Sequence, residues 1–284
     1  MVGSSSGPPP PTVCCALFAD PVKVLEEPGY PAPTVRDVLT ASDGTGASST
    51  TQISVVSVTL DEVIGGCLVD PERGFTVLCV MGGFAPNYAS RLGDAGYNRI
   101  REFVSNGGGY VGLCAGAYLA TNQGIGLVPV DVVDIHRWAR GSGPCQIEFT
   151  ADGAIGLGAL EPSAAAAPVT VRYANGPLMR ISGPGVTALA NFVSEFRGPQ
   201  GDYPPRMAGS PAVVLGRCTG GGGLVALVSP HLEDGTDTRS LTPFRNLFHL
   251  ASRDSLLQRW LAGGGSSEAE VAPSLLEALA IMRR

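Results

Sequence analysis

The sequence predicts an α/β protein built on a mostly parallel sheet with helices on both faces. Three observations favour this class: short and nearly continuous apolar runs recur along the chain, helical periodicity appears between them, and turn residues end most of the runs. Strands that are apolar throughout are typical of parallel sheets covered on both faces. Ligands of such sheets bind at the carboxyl ends of the strands, so functional residues are expected just after the apolar runs.

Four apolar runs in the first 113 residues are typical of strands, since each ends near Gly, Pro, Asp or Asn. They lie at 13–18, 53–60, 75–80 and 110–113. Between the last two, the segment 94–105 has apolar residues at helical spacing, and Asn106 with Gly107 supplies a stop signal. A further helix follows the fourth strand, so the predicted order is β, β, β, α, β, α.

The middle of the chain predicts antiparallel strands inserted into the main sheet. Short β-like pieces at 146–150, 169–173 and 186–191 alternate with Gly and Pro turns. Farther along, the glycines at 220–223 precede the apolar run 224–229, which predicts a hairpin turn into one more buried strand.

A closing helix is predicted next, with Thr242 as its N-cap and Pro243 as its first residue. Its apolar face would run through Phe244, Leu247, Phe248, Ala251, Leu257, Trp260 and Leu261. We therefore expect one domain over 12–261. Residues 1–11 are expected to be a disordered N-terminus, and 262–284 a flexible linker with a short C-terminal helix.

Composition excludes several classes of function. The chain has 284 residues, a formal charge of −6 and only 19 Lys plus Arg, so nucleic acid is not an expected partner. No apolar run approaches the roughly 20 residues that span a bilayer, and no secretory signal pattern opens the chain. Neither a membrane partner nor secretion is expected, and a cytoplasmic location is the default. Seven cysteines form no C-x-x-C pair, so neither a disulfide scaffold nor a metal site is predicted.

Cys114 is the most informative residue, because it lies at the junction of the strand-like and helix-like parts of the segment 109–118, GYVGLCAGAY. Gly112 and Gly116 stand two positions to either side, the spacing of a nucleophile elbow. The sulfur would lie over the free N–H groups of the following helix, where the helix dipole favours a thiolate. Cys114 is therefore a candidate nucleophile. The alternative is a small residue at a tight junction.

His231 and Glu233 follow the predicted strand at 224–229 and are candidates for a base and the carboxylate that orients it. Their alternative is a loop histidine satisfied by backbone groups beside a solvated acidic turn. Gly82 and Gly83 follow the strand at 75–80. Either they allow a sharp turn of the chain, or their exposed backbone N–H groups bind an anion.

The backbone N–H groups of Gly83 and Ala115 would together form an oxyanion hole. Gly82 and Tyr118 are candidate substrate contacts beside these groups. A charged segment with His136, Arg137 and Arg140 could grip an anionic ligand, but a charged loop around Trp138 is the favoured interpretation.

The glycine pair, the G-x-C-x-G elbow and the H-x-E motif, in this order, resemble the class I glutamine amidotransferase-like superfamily. More closely, the stretch 82–118 resembles the N-terminal domain of eukaryotic biotin protein ligases and its stand-alone relatives. Further similarity lies at 137–141 (RWARG), 173–177 (YANGP) and 229–233 (SPHLE). The resemblance extends over roughly 12–261.

This resemblance implies a flavodoxin-like fold with Cys114 as nucleophile, His231 as base, Glu233 as orienter, and the amides of Gly83 and Ala115 as oxyanion donors. Two departures matter. Glutamine-using members carry a glutamine or histidine shortly after the elbow glycine, where this chain has AY at 117–118. The chain also lacks the glycine- and arginine-rich biotinyl-adenylate loop of ligase catalytic domains, so it does not resemble a complete biotin ligase.

The predicted function is a cysteine-dependent amidotransferase-like or amide hydrolase activity that passes through a thioester on Cys114. The expected partner is a small amide or acyl substrate, and the resemblance adds a protein partner related to biotin metabolism. Base, nucleophile and oxyanion donors all come from the chain, so no metal or organic cofactor is implied. Two alternatives stay open: a non-catalytic module that binds a small metabolite or regulates a biotin ligase, and a redox-sensing cysteine protein.

Overall fold

The computed structural model describes residues 12–18, 35–41, 53–157, 167–196 and 206–262. For residues 259–262 it describes the backbone alone. The predicted N-terminal tail and the segment 263–284 lie outside the described residues. The strands are β1 (Val13–Phe18), β2 (Ile53–Val58), β3 (Val77–Val80), β4 (Gly109–Leu113), β5 (Val130–Val132), β6 (Ser142–Phe149), β7 (Val169–Ala174), β8 (Met179–Ile181), β9 (Val186–Phe192), β10 (Pro211–Arg217) and β11 (Leu224–Val228). The α-helices are α1 (Val35–Thr40), α2 (Leu60–Ile64), α3 (Ala85–Ser105), α4 (Ala115–Ala120), α5 (Ala151–Gly156), α6 (Leu241–Ala251) and α7 (Arg253–Ala262).

Nine strands form one large mixed sheet in the order β2-β1-β3-β4-β11-β10-β9-β6-β7. The first five strands are parallel to one another. The last four are antiparallel to their neighbours and extend one edge of the sheet. The predicted α/β class and the inserted antiparallel strands are thus confirmed, as is the hairpin that joins β10 to β11. A separate antiparallel pair joins β5 to β8.

Apolar residues on both faces of the sheet pack against helices. On β1, for example, Cys15 and Leu17 belong to one core cluster, while Ala16 and Phe18 belong to the other. Helices α1, α6 and α7 supply buried residues to the first cluster, and α2, α3 and α4 supply them to the second. Strands β1, β3, β4 and β11 are covered on both faces, so their sequences are nearly continuously apolar. The edge strand β2 has one face exposed.

Four helical segments were not predicted from the sequence: α1, α2, α5 and the first part of α3. Helices α1 and α2 have only six and five residues, too few for a helical period to be seen. Helix α2 does carry a capping box, in which Thr59 and Glu62 bond each other's backbone N–H groups. The prediction placed Thr59 at the end of a strand instead. Helix α3 begins at Ala85 and not at 94, because Gly93, with φ 53° and ψ −167°, separates two helical pieces.

The closing helix differs from the prediction in two ways. It begins at Leu241 with Ser240 in the capping position, so Pro243 lies inside the first turn, where its missing N–H has no intrahelical partner to lose. It also ends at Ala251, and α7 is a separate helix. The break lies where Ser252 accepts a hydrogen bond from the buried Thr76 hydroxyl at 3.3 Å. None of the described helices combines the length and the apolar composition that crossing a bilayer requires.

Candidate functional site

Cys114 forms the turn between β4 and α4. Its backbone has φ 49° and ψ −102°, a conformation that a non-glycine residue rarely adopts. The two flanking glycines allow this tight junction. A Cβ at Gly112 would lie 2.5 Å from the carbonyl oxygen of Gly116, and one at Gly116 would overlap the carbonyl of Val80. The strand therefore turns into the helix with the chain packed directly against β3.

His231 and Glu233 follow β11, the parallel neighbour of β4. The imidazole Nδ1 lies 2.7 Å from the Glu233 carboxylate oxygen Oε1. The side chains of His231 and Glu233 are only 17% and 10% exposed. A carboxylate on Nδ1 fixes the ring orientation and leaves Nε2 as the reactive nitrogen.

Gly82 shows how close the cysteine and histidine come. A Cβ at Gly82 would lie 3.2 Å from His231 Cε1 and 3.6 Å from Cys114 Cβ. Gly82 itself follows β3, which pairs in parallel with β4. The carboxyl ends of three adjacent parallel strands thus bring together Gly82, Cys114 and His231, with Glu233 behind the imidazole.

The electrostatics of this cluster favour a protonated imidazole. Burial is the largest influence on His231 and lowers its pKa. The negative charge of Glu233 and hydrogen bonds from the imidazole to Cys114 and Glu233 outweigh burial, so the pKa of His231 is raised well above its usual value. A cationic imidazole beside a thiol stabilises the thiolate.

The Cys114 thiol also has a backbone partner. It donates a hydrogen bond to the carbonyl oxygen of Ala174 at 3.3 Å, and the residue is only 6% exposed. Ala174 ends β7 in the antiparallel half of the sheet. This contact joins residues 60 positions apart, and no sequence motif predicts it.

The amides of Gly83 and Ala115 lie at the two turns that border the thiol. Ala115 is the first residue of α4, so its N–H has no intrahelical acceptor. Within the described part of the chain, neither N–H donates a hydrogen bond. The Tyr88 hydroxyl donates to the Gly82 carbonyl at 3.0 Å and so holds the glycine turn in place.

Tyr118 belongs to a group of contacts around the segment 174–176. Its hydroxyl donates to the Asn175 carbonyl at 3.2 Å, and burial raises the pKa of Tyr118. Asn175 adopts a positive φ of 54°, and its side-chain oxygen accepts from the Gly141 N–H at 2.7 Å. The Asn-Gly pair at 175–176 is a turn signature in the sequence, but nothing local places that turn beside Cys114.

Arg140 does not reach toward a ligand, because it forms a buried ion pair with Asp134. Its Nε lies 2.8 Å from the Asp134 carboxylate, and the two side chains are 1% and 0% exposed. Burial, the largest influence, raises the pKa of Asp134. His136 and Arg137 are exposed on the segment between these two residues, so the charged loop around Trp138 is the interpretation that the structure supports.

Fold and site together define an α/β protein with a cysteine, histidine and glutamate cluster at the carboxyl edge of its parallel strands. A family model described as "Biotin-protein ligase, N terminal" matches residues 55–125. That match supports the resemblance to this family from β2 to α4. The matched segment includes the Gly82–Gly83 turn and the Cys114 turn between Gly112 and Gly116. It stops short of His231 and Glu233.

No curated protein sequence matches this chain. Among solved structures, Gan42B, a GH42 β-galactosidase, is similar at a TM-score of 0.38 and 11% identity. A catalytic mutant of Gan42B from G. stearothermophilus is similar at 0.40 and 12%. Each likeness covers 88% of this chain and 30% of the other, so the chain spans less than a third of those proteins' length. At such TM-scores these likenesses assign neither fold nor activity.

Proposed function

We propose that this protein is a cysteine-dependent amidotransferase-like enzyme or amide hydrolase that uses Cys114, His231 and Glu233 as a catalytic triad. One observation carries the proposal. Cys114 stands at a turn with positive φ, and the space a Cβ at Gly82 would fill lies 3.6 Å from Cys114 Cβ and 3.2 Å from His231 Cε1. The His231 Nδ1 in turn lies 2.7 Å from the Glu233 carboxylate. A nucleophile, a base and a carboxylate that orients the base are the three parts of such a site.

In the proposed reaction, the Cys114 sulfur attacks the carbonyl carbon of a small amide or acyl substrate. His231 accepts the thiol proton, and the Glu233 carboxylate stabilises the resulting imidazolium. The N–H groups of Gly83 and Ala115 donate to the oxyanion of the tetrahedral intermediate. His231 then protonates the departing amine as the C–N bond breaks, which leaves a thioester on Cys114.

Water or a second amine completes the cycle. His231, now neutral, removes a proton from that nucleophile as it attacks the thioester carbonyl. The sulfur leaves and recovers its proton from the imidazolium. The residues of the chain supply every group that the proposed reaction requires, and no step uses a metal or an organic cofactor.

The finer assignment of the fold belongs to the same proposal. The five parallel strands follow the order 2-1-3-4-5, counting β11 as the fifth, which is the flavodoxin-like order. The Cys114 turn has the strained strand-to-helix form of a nucleophile elbow. These features support membership of the glutamine amidotransferase-like superfamily. The family match supports a context of biotin metabolism, and we place the protein in the cytoplasm with a protein partner from that context.

One observation favours a non-catalytic binding module instead. The thiol already donates to the Ala174 carbonyl and is nearly buried, an arrangement that suits a residue held in place as well as one that reacts. In a catalytic protein that hydrogen bond must break when the thiolate forms, because a carbonyl oxygen repels a negative sulfur. Thiol reactivity therefore separates the two functions.

The first experiment measures alkylation of Cys114 by iodoacetamide in the native full-length protein, with the modified peptides quantified by mass spectrometry. Cys67 is the internal control, because it is partly exposed and burial raises the pKa of its thiol. At about pH 6, Cys114 is expected to react at least about tenfold faster than Cys67. His231→Gln should remove that advantage, and Glu233→Gln should reduce it.

Equal rates at both cysteines, unaffected by His231→Gln, would reject the triad and favour the binding module. Reversible loss of the Cys114 thiol in dilute peroxide, without turnover of any amide, would favour the redox sensor. If Cys114 is activated, a panel of small amides is then assayed for amine release, with Cys114→Ser as the inactive control.

A further inference from the structure

An exposed aromatic pair lies at the rim of the site. The rings of Phe84 and Trp138 have centroids 5.8 Å apart at an interplanar angle of 54°. Phe84 is 47% exposed and Trp138 is 40% exposed. They are the only aromatic residues among the exposed large hydrophobic side chains of the described part of the chain. Single exposed apolar residues are common, but two large rings in contact with each other and with solvent form an apolar surface that suits a ligand.

The backbone connects this pair to the thiol from two sides. Phe84 directly follows the Gly82–Gly83 turn, and a Cβ at Gly82 would lie within 3.6 Å of both Cys114 and His231. On the other side, the loop that carries Trp138 ends at Gly141, whose N–H and carbonyl both bond Asn175. The neighbouring residue of Asn175 is Ala174, which accepts the thiol hydrogen bond.

The Trp138 loop is held at both ends by the buried pair of Asp134 and Arg140. Asp134 also accepts the Leu178 N–H at 3.2 Å, which fixes the carboxylate to the chain after β7. Between the two ion-pair residues, every residue from 135 to 139 is exposed. A buried ion pair contributes little net stability, and its best-supported use is to specify one arrangement. Here that arrangement places Trp138 against Phe84.

We propose that Phe84 and Trp138 form a specificity-determining wall that binds an aromatic or flat apolar group next to the reacting carbonyl. This inference rests on the proposed function, and it narrows the substrate class to amides or acyl compounds that carry such a group. Aromatic side chains offer large contact area and favourable ring–ring geometry. Contact at this wall would hold the substrate carbonyl over Cys114, so it acts by positioning and takes no part in bond making or breaking.

The test compares two alkylators with the same reactive group, iodoacetamide and N-benzyl iodoacetamide. For Cys114 of the full-length protein, the rate ratio of the benzyl reagent to the small one is expected to exceed that for glutathione by about tenfold. Trp138→Ala should return the ratio close to the glutathione value, and Phe84→Leu should lower it partly.

Ile155→Ala is the matched control, since Ile155 is 59% exposed and lies on α5, a helix that carries no residue of the proposed site. It should leave the ratio unchanged. Two results would contradict the wall but not the triad, provided that labelling still depends on His231. One is a rate ratio equal to that of glutathione. The other is a ratio that neither wall substitution changes. Labelling with iodoacetamide that is slow and independent of His231 would instead overturn the triad, and the wall with it.

Discussion

The parallel and antiparallel halves of the sheet contribute to the site in different ways. The parallel half supplies the side chains and free amides of the candidate site, because the strands point the same way and their carboxyl ends meet at one edge. Gly82, Cys114 and His231 follow three adjacent strands of this half. The antiparallel half supplies backbone carbonyls: Ala174 accepts from the thiol, and Arg172 accepts from the His231 N–H at 2.8 Å.

The comparison indicates that different parts of the sheet supply the functional groups of the candidate site and the backbone that surrounds them. Strands of the parallel half would present the same groups without the inserted strands, since none of the reactive residues lies on them. The inserted strands close one side of the thiol and anchor the loop that carries Trp138. Substitutions in the two halves should therefore produce different combinations of lost stability and lost reactivity.

The largest effect is expected from Asp134→Asn in the loop beside the antiparallel half. It leaves the buried Arg140 without its carboxylate, and the expected loss is about 3 kcal/mol in the free energy of unfolding. Chemical denaturation measures it. Asp131→Asn is the control, because its partner Arg180 is 67% exposed and an ion pair open to solvent contributes little to stability. Equal losses in the two variants would show that burial of the Asp134 pair has no energetic consequence.

Gly116→Ala in the parallel half should have the next largest effect, a loss of about 2 kcal/mol in unfolding free energy. Alanine normally stabilises a helix relative to glycine, but here the new Cβ would overlap the Val80 carbonyl. Gly65→Ala is the control, since Gly65 has an ordinary right-handed conformation at φ −68°. Iodoacetamide labelling should also slow in Gly116→Ala, because the turn at Cys114 moves. A stable variant with unchanged labelling would mean that the tight junction is not required.

The smallest effect, about 1 kcal/mol, is expected from Glu233→Gln, and it should depend on pH. The pKa of folded His231 is raised above its unfolded value, so the stabilisation is complete below about pH 6.5 and is lost as the pH rises through the folded pKa. Removing the Glu233 charge should therefore destabilise the protein more at about pH 6 than at about pH 9. Glu72→Gln, at an exposed position, is the control. A stability difference that grows with pH would contradict the proposed ion pair.

Much of the fold could be predicted because its signals are local. Strand β1 was predicted at its observed bounds and β4 within one residue, since apolar runs ending in turn residues are visible in the sequence. The prediction missed helices, or gave them other bounds, where the local signal in the sequence was short or interrupted. Helices α1 and α2 are about one and a half turns long, Gly93 divides α3, and the break before α7 depends on Ser252 meeting Thr76 across 176 positions.

In the candidate site too, features with local sequence signals were predicted, and features that depend on distant contacts were not. Cys114, His231, Glu233 and the glycine turns were identified from spacing within short motifs, and the structure brings them together. The carbonyl of Ala174, the Asn175 contacts and the buried pairing of Arg140 were not identified. Each of these depends on which strand lies beside which, and a hydrogen bond to a backbone carbonyl leaves no residue-type signal in the sequence.

The sequence by itself determined the local geometry of the Cys114 turn and of the His231–Glu233 pair. Gly112 and Gly116 permit the turn at Cys114, and the H-x-E spacing lets Glu233 reach the His231 ring, because both depend on residues a few positions apart. Only the tertiary structure decided that β3, β4 and β11 are neighbours, that the thiol faces Ala174, and that Phe84 meets Trp138. Those contacts join residues 32 to 115 positions apart. Burial of the apolar strand faces selects them, and apolar character alone does not encode which strand pairs with which.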